Sequence, residues 1–251
     1  MGLDAMSASY DEYASLVASG SRSFGDAMPE MTDAQLALVR RRDLDGRIRK
    51  AGFPYARAPR DFGSSFRPSA GRPVVESLAT LGLVDRHENV VLVGSPGTGK
   101  AHIAVALGVE AIGARKLTYF VDCQRLVRDL GHAAEKGAPG RRLRFCSHLS
   151  PPVVDELGYL GIDKEGADLS FQLVSRRYER RSTIITTNVG IGSWAGVSGD
   201  PVVASAIADR ACHHCHVIKI TGKSYRAREV MGQEAQPRAR GDAGSGDESL
   251  A

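Results

Sequence analysis

Apolar and polar positions change their period along the chain, and the changes mark its elements. Between Thr32 and Lys50, Leu36, Val39, Leu44 and Ile48 recur near the helical repeat, and Thr32 with Gln35 has the form of a capping box. A helix is predicted there, and Gly52 and Pro54 end it. Upstream, residues 1–31 keep no sustained period, and Ser19-Gly20-Ser21 and Met28-Pro29 interrupt them, so a poorly ordered N-terminus is expected. From residue 74 the texture changes to short apolar runs alternating with helical stretches. Strands are predicted at Asn89–Val93, Leu117–Val121, Val153-Val154, Ser182–Thr187 and Val217–Ile220. Helices are predicted over Pro73–Leu83, from the turn after Val93 to Ile112, and over Gln124–Glu135 and Ala167–Arg180. A last helix starts at Asp200-Pro201, an aspartate cap followed by proline at the first helical position, and runs to about Cys212. Strands alternating with helices predict an α/β fold in three layers, a parallel sheet covered on both faces.

Composition narrows the class. The chain has 251 residues, 42% hydrophobic and 25% charged, enough to bury a core and too apolar for wholesale disorder. No apolar run is long enough to cross a membrane, and Met1–Gly20 lacks the basic and apolar regions of a signal peptide, so a cytoplasmic protein with no membrane partner is expected. The net charge is only +4, but residues 40–72 hold ten basic residues against three acidic ones. Such a concentration points to a polyanion, nucleic acid before membrane, through Arg40, Arg41, Arg42, Arg47, Arg49 and Lys50. A solvated arginine-rich face is the plain alternative. In the following arm, Phe53, Tyr55, Phe62 and Phe66 interleave with arginines, a pattern that suits either stacking on bases or pinning the arm to a neighbouring domain. The expected division is therefore a basic helix and linker arm over 32–73, a core over 74–230 and a disordered tail over 231–251, rich in Gly, Asp and Ser.

Four cysteines are too few and too scattered for a disulfide framework. The run Cys212-His213-His214-Cys215-His216 lacks the second ligand pair of a structural zinc site, and a helix end with small, partly buried cysteines is expected instead.

The chemistry concentrates after the first strand. Gly94, Ser95, Pro96, Gly97, Thr98, Gly99 and Lys100 fit the first seven positions of G-x-x-x-x-G-K-[ST]. Glycines let backbone N–H groups curl around phosphate oxygens, the next helix presents its positive end, and Lys100 reaches the β- and γ-phosphates. The eighth position is Ala101, which offers magnesium no hydroxyl, so binding should survive better than hydrolysis. Asp155, closing an apolar strand, is placed to hold Mg2+ directly or through water, and Glu156 to orient the attacking water. Pro151-Pro152 is unexpected at the start of that strand, because proline cannot donate to a ladder. Asn188 follows the fourth strand, where a polar residue senses the γ-phosphate in an ATPase with an extra strand between its two motif strands, and the second strand, with Asp122-Cys123, is expected as the intervening-side element. Arg210 could reach a neighbouring subunit's nucleotide, or it could simply complement its helix dipole.

These strings together resemble a known family. Gly94 to Ala101, Asp155-Glu156-Leu157-Gly158-Tyr159-Leu160, Glu165-Gly166-Ala167-Asp168 and Phe171 to Arg180 resemble the IstB-like ATPases of the AAA+ class. So do Thr186-Thr187-Asn188, Gly199-Asp200-Pro201 and His216-Val217-Ile218, and the resemblance covers about residues 32–229. It implies a P-loop NTPase fold with a small helical N-terminal region. It also implies ATP and Mg2+ as cofactors, double-stranded DNA and a transposase as partners, and a homo-oligomer acting as a helper of transposition. A helicase loader related to DnaC, or a nucleotide-binding remnant with little hydrolysis, are the alternatives. Ala101, Pro151-Pro152 and residues 1–31 depart from the family pattern.

Overall fold

A computed structural model describes residues 2–54, 71–158, 163–196 and 200–222. Most of the aromatic arm and the tail, including Tyr55, Phe62, Phe66 and residues 231–251, lie outside the described residues.

The N-terminus departs from expectation. Residues 4–18 and 24–31 are helical, in α1 (Asp4–Ala18) and the start of α2 (Phe24–Lys50), which pack as a hairpin. The cap of α2 is Ser23, whose side chain accepts from the Asp26 amide; Thr32 lies inside the helix and donates to the Met28 carbonyl. Gln35, expected to cap α2, instead serves α1. Its Oε1 accepts from the amides of Ala5 (2.9 Å) and Met6 (3.3 Å), satisfying first-turn donors that have no partner within their own helix. The Ser19–Ser23 stretch read as disorder is the turn between the two helices, and Pro29 is accommodated within α2.

The core is a five-stranded, wholly parallel sheet: β1 (Asn89–Val93), β2 (Phe120–Asp122), β3 (Val153–Leu157), β4 (Ile184–Thr187) and β5 (Cys215–Lys219), in the order β2-β3-β4-β1-β5. Along β1, Val90 and Leu92 join the cluster with Ile103, Leu107, Ile184 and Ile218, while Val91 packs the other way with Ile185, Trp194 and Ala211. α3 (Arg72–Ala79), the short α4 (Gly82–Asp85), α5 (Lys100–Gly113) and the end of α2 cover the first face. α6 (Cys123–Glu135), α7 (Pro139–His148), α8 (Lys164–Arg177) and α9 (Pro201–Cys212) cover the second. The predicted helix over 73–83 is broken at Leu81, which takes a left-handed φ of 61°. α7 had no counterpart in the apolar pattern.

The prolines before β3 are tolerated because neither needs its missing donor. Pro151 and Pro152 serve as acceptors, from the Thr118 hydroxyl and the Ile184 amide, and the ladder begins at the Val153 amide. β3 thus runs three residues beyond the predicted pair Val153-Val154, through both carboxylates to Leu157.

Candidate nucleotide site

The phosphate loop follows β1 directly and ends at the first turn of α5. Gly97 and Gly99 take φ of 78° and 100°, a region open to glycine at little cost, so the chain can curl before the helix starts. Gly94 is required for a different reason: a Cβ there would sit 2.2 Å from the Ile220 carbonyl oxygen. Thr98 is buried and its hydroxyl donates to the Ser95 carbonyl at 2.8 Å, which makes it part of the loop's scaffold. Ser95 and Pro96 are exposed at the tip. The Lys100 ammonium donates to the carbonyls of Gly94 (2.6 Å) and Ser95 (2.8 Å), at the mouth of the loop where a phosphate would attract it. Ala101 stands in the first turn of α5 and supplies no polar atom beyond its backbone.

β4, and not the second strand expected there, lies between β1 and β3, while β2 forms an outer edge of the sheet; the loop, the acidic pair and Asn188 therefore all emerge from the ends of neighbouring strands. The two carboxylates are not separated by simple strand alternation. The β3–β4 register shifts between Val154 and Leu157, and Glu156 takes a left-handed φ of 60°: a β-bulge sits at the acidic pair. Thr186, 1% exposed, holds it from β4. Its hydroxyl donates to Asp155 Oδ1 and accepts from the Glu156 amide at 3.0 Å. The hydroxyl therefore fixes Asp155 while leaving Glu156 solvent-exposed. Thr186 was legible only as a polar residue at a strand end; its role depends on a bulge that the sequence pattern did not signal.

Asn188 Oδ1 is buried and lacks a hydrogen-bond partner among the described residues. A buried amide left in that condition is costly, and it matches a site completed by a polar ligand. The amide's two ends can exchange, so either oxygen or NH2 can face that ligand. Loop amides, Lys100, Asp155 and this unsatisfied amide together fit a nucleotide phosphate chain with Mg2+. Asp155 would hold the ion with water in place of the hydroxyl that Ala101 lacks.

Arg210 belongs to the opposite end of the molecule. The neighbouring Ala211 carbonyl accepts from the Asn89 side chain at the start of β1, whereas the loop leaves the end of that strand. A five-residue strand spans about 16 Å, so Arg210 cannot reach its own nucleotide. Its guanidinium lies 4.7 Å from the Phe171 ring centroid and donates to the Ala206 carbonyl. The basic positions cluster at the end of α2: Arg40, Arg41, Arg49 and Lys50 are exposed, while Arg42 is paired with Asp4 and Arg47 lies 4.0 Å from Asp43. A cavity of about 120 Å³ between β3, β4 and the helices of the second face is apolar and lies away from the phosphate loop.

Sequence reasoning also missed Arg177. It is 5% exposed, and its guanidinium donates to the carbonyls of Cys146 (2.9 Å), Leu149 (2.7 Å) and Ser182 and to the Thr183 hydroxyl (3.1 Å). Burial pulls its pKa down to about 10, which still leaves it charged at neutral pH. It joins α7 to the chain before β3 and the chain before β4.

The family model for the IstB-like ATP binding protein matches residues 1–232. The ATP-binding protein of insertion sequence IS21 from Pseudomonas aeruginosa is 40% identical over 188 residues, 75% of this chain and 71% of that protein. Its counterpart in insertion sequence IS232 from Bacillus thuringiensis subsp. berliner is 34% identical over 212 residues, covering 84% of this chain and 85% of that one. Among solved structures, the DnaC helicase loader superposes with a TM-score of 0.55 at 21% identity, over 65% of this chain and 96% of that one. The replication initiator DnaA bound to AMPPCP and single-stranded DNA gives 0.55 at 15% identity, over 72% and 56%. At those identities the likeness is one of fold, the AAA+ form of the P-loop architecture, whereas the match to nearly the whole chain identifies the lineage: this chain belongs to the IstB-like ATP-binding proteins of insertion sequences.

Proposed function

We propose that this chain is an ATP-hydrolysing helper of DNA transposition that binds duplex DNA through the basic end of α2, works as a homo-oligomer and engages a transposase. The observation that carries the ATPase reading is the convergence of the phosphate loop, Asp155, Glu156 and Asn188 on one sheet edge. Loop amides and Lys100 bind the phosphates, and Asn188 contacts the γ-phosphate. Glu156 orients a water for in-line attack and takes its proton as the bond to ADP breaks, giving ADP and phosphate. Bound Mg2+ neutralises charge on the phosphates. The origin of the relatives in insertion sequences supports the transposition role. The exposed charge on Arg40, Arg41, Arg49 and Lys50 suits contacts to phosphates that do not read sequence.

Phosphate release by the full chain, measured with and without duplex DNA, tests this. Turnover above that of Glu156→Gln is expected, with the variant lower by about 100-fold and still binding ATP. Ala101→Thr should raise turnover several-fold by restoring the hydroxyl. Ala101 also favours a second reading, a nucleotide-binding protein that hydrolyses little. ATP binding with no turnover above Glu156→Gln, even after Ala101→Thr, would establish that reading and overturn the first. In the same experiment, replacing Arg40, Arg41 and Arg49 by Gln should weaken DNA binding equally across sequences and reduce its salt dependence. Unchanged affinity at low salt rejects α2 as the contact.

A further inference from the structure

The run from Cys212 to His216 has no part in the nucleotide chemistry, yet the fold brings two of its histidines to a carboxylate from another element. Cys212 closes α9, His213 and His214 form the turn, and Cys215 opens β5. This turn meets the loop after α8, where Glu179 adopts a left-handed φ of 55°. Glu179 Oε1 lies 3.9 Å from His213 Nδ1 and 3.6 Å from His214 Nε2. The three donor atoms all fall within 4.8 Å of one another, and the two imidazole centroids are 4.1 Å apart.

We propose that Glu179, His213 and His214 form a surface site for a first-row divalent transition metal of the zinc class, with water completing the coordination. Tetrahedral zinc with bonds of about 2.0–2.1 Å needs its donors roughly 3.3–3.4 Å apart, so small side-chain rotations close the observed spacing. Two imidazoles and one carboxylate form a donor set suited to such an ion and unsuited to Ca2+ or Mg2+, which prefer oxygen. The Tyr178 hydroxyl lies 2.8 Å from His213 Nδ1; when it donates, that nitrogen is the unprotonated one, and a metal takes the lone pair as the hydroxyl turns aside. The other members of the run point elsewhere. His216 lies 2.9 Å from Glu88, and neither Cys212 nor Cys215 belongs to the cluster of donor atoms. The metal would tie the loop after α8 to the turn into β5, beside the α9 end that carries Arg210. A solvated pair of histidines beside a glutamate is the alternative, and it would contribute little to stability.

The full-length protein, freed of metal with EDTA and kept without nucleotide or Mg2+, is titrated with Zn2+ by calorimetry and melted with and without the ion. One equivalent should bind and raise Tm. Glu179→Gln, an exposed and nearly isosteric change, and His214→Ala should each weaken binding by about tenfold or more while leaving Tm in EDTA unchanged. The double variant Cys212→Ser with Cys215→Ser should bind within about threefold of the natural protein. The proposal is overturned if saturable binding is absent below about 100 µM, if the two ligand variants bind as tightly as the natural protein, or if the serine double variant is the one that abolishes binding.

Discussion

A single hydroxyl does more at this site than its place in the sequence suggests. Thr186 donates to Asp155 and accepts from the Glu156 amide, so one side chain on β4 sets both carboxylates on β3. Thr186→Val keeps the shape and removes both bonds. It should lower turnover tenfold or more with ATP affinity nearly unchanged, and cost about 1–3 kcal/mol in denaturant unfolding, because it leaves the Glu156 amide and the Asp155 carboxylate without their shared partner. Equal turnover in the variant would show that the bulge alone positions the acids. The candidate loop, the acidic pair and Asn188 were legible as residue types at the ends of apolar runs. Thr186 was not, because its work is done across a strand pairing thirty residues distant.

At the scale of elements, what the apolar period marks is what it can bury. β1, an unbroken apolar run, has the predicted bounds Asn89–Val93, and α9 has the start and stop that Asp200-Pro201 and Cys212 predicted. α1 had no such signal, since none of its residues is buried and it is held by polar contacts to α2, among them Gln35 and the Arg42–Asp4 pair. Arg177 shows how a polar residue can organise a layer: five hydrogen bonds from one guanidinium join α7, the chain before β3 and the chain before β4. Arg177→Met should therefore cost about 3 kcal/mol through buried acceptors left unpaired, and lower Tm by roughly 6–12 °C. Arg177→Lys should recover little, because one ammonium cannot reproduce the planar fork. Thermal melts of both variants check this, and a fully stable methionine variant refutes the clamp.

Another polar contact ties β5 to the chain before β1. The Arg86 guanidinium, and after it His216, hold the Glu88 carboxyl down to about 2. A depressed carboxylate stabilises the fold above its unfolded value near pH 4, and that contribution disappears as pH falls toward 2. The Tm difference between the natural protein and Glu88→Gln should thus be present at pH 6 and vanish near pH 2; a difference independent of pH would contradict this.

Taken whole, the molecule carries its candidate groups at two opposite ends. The phosphate loop, acids and Asn188 occupy one edge of the sheet, and Arg210 the other, a strand length away. If Arg210 serves catalysis, it does so on a neighbouring copy, and the consequence is measurable. Arg210→Ala and Lys100→Ala should each abolish turnover alone, and mixing them should restore part of it, since a subunit with an intact loop can meet one with an intact arginine. Two inactive variants that stay inactive when mixed, under conditions where natural subunits associate, would refute action in trans. Among the described residues no helix is long and apolar enough to cross a membrane.

By itself the sequence determined the phosphate loop, the identity of the acids, the α/β alternation and the concentration of basic charge on α2. Each of these is written in neighbouring residues or in a repeat that one helix or strand can satisfy. Only the tertiary structure decided the strand order that puts β4 between the motif strands, the bulge that Thr186 holds, the capping of α1 by Gln35, and the meeting of Glu179 with His213 and His214. All four depend on partners distant in sequence, which only the packed sheet brings within hydrogen-bond or ligand distance.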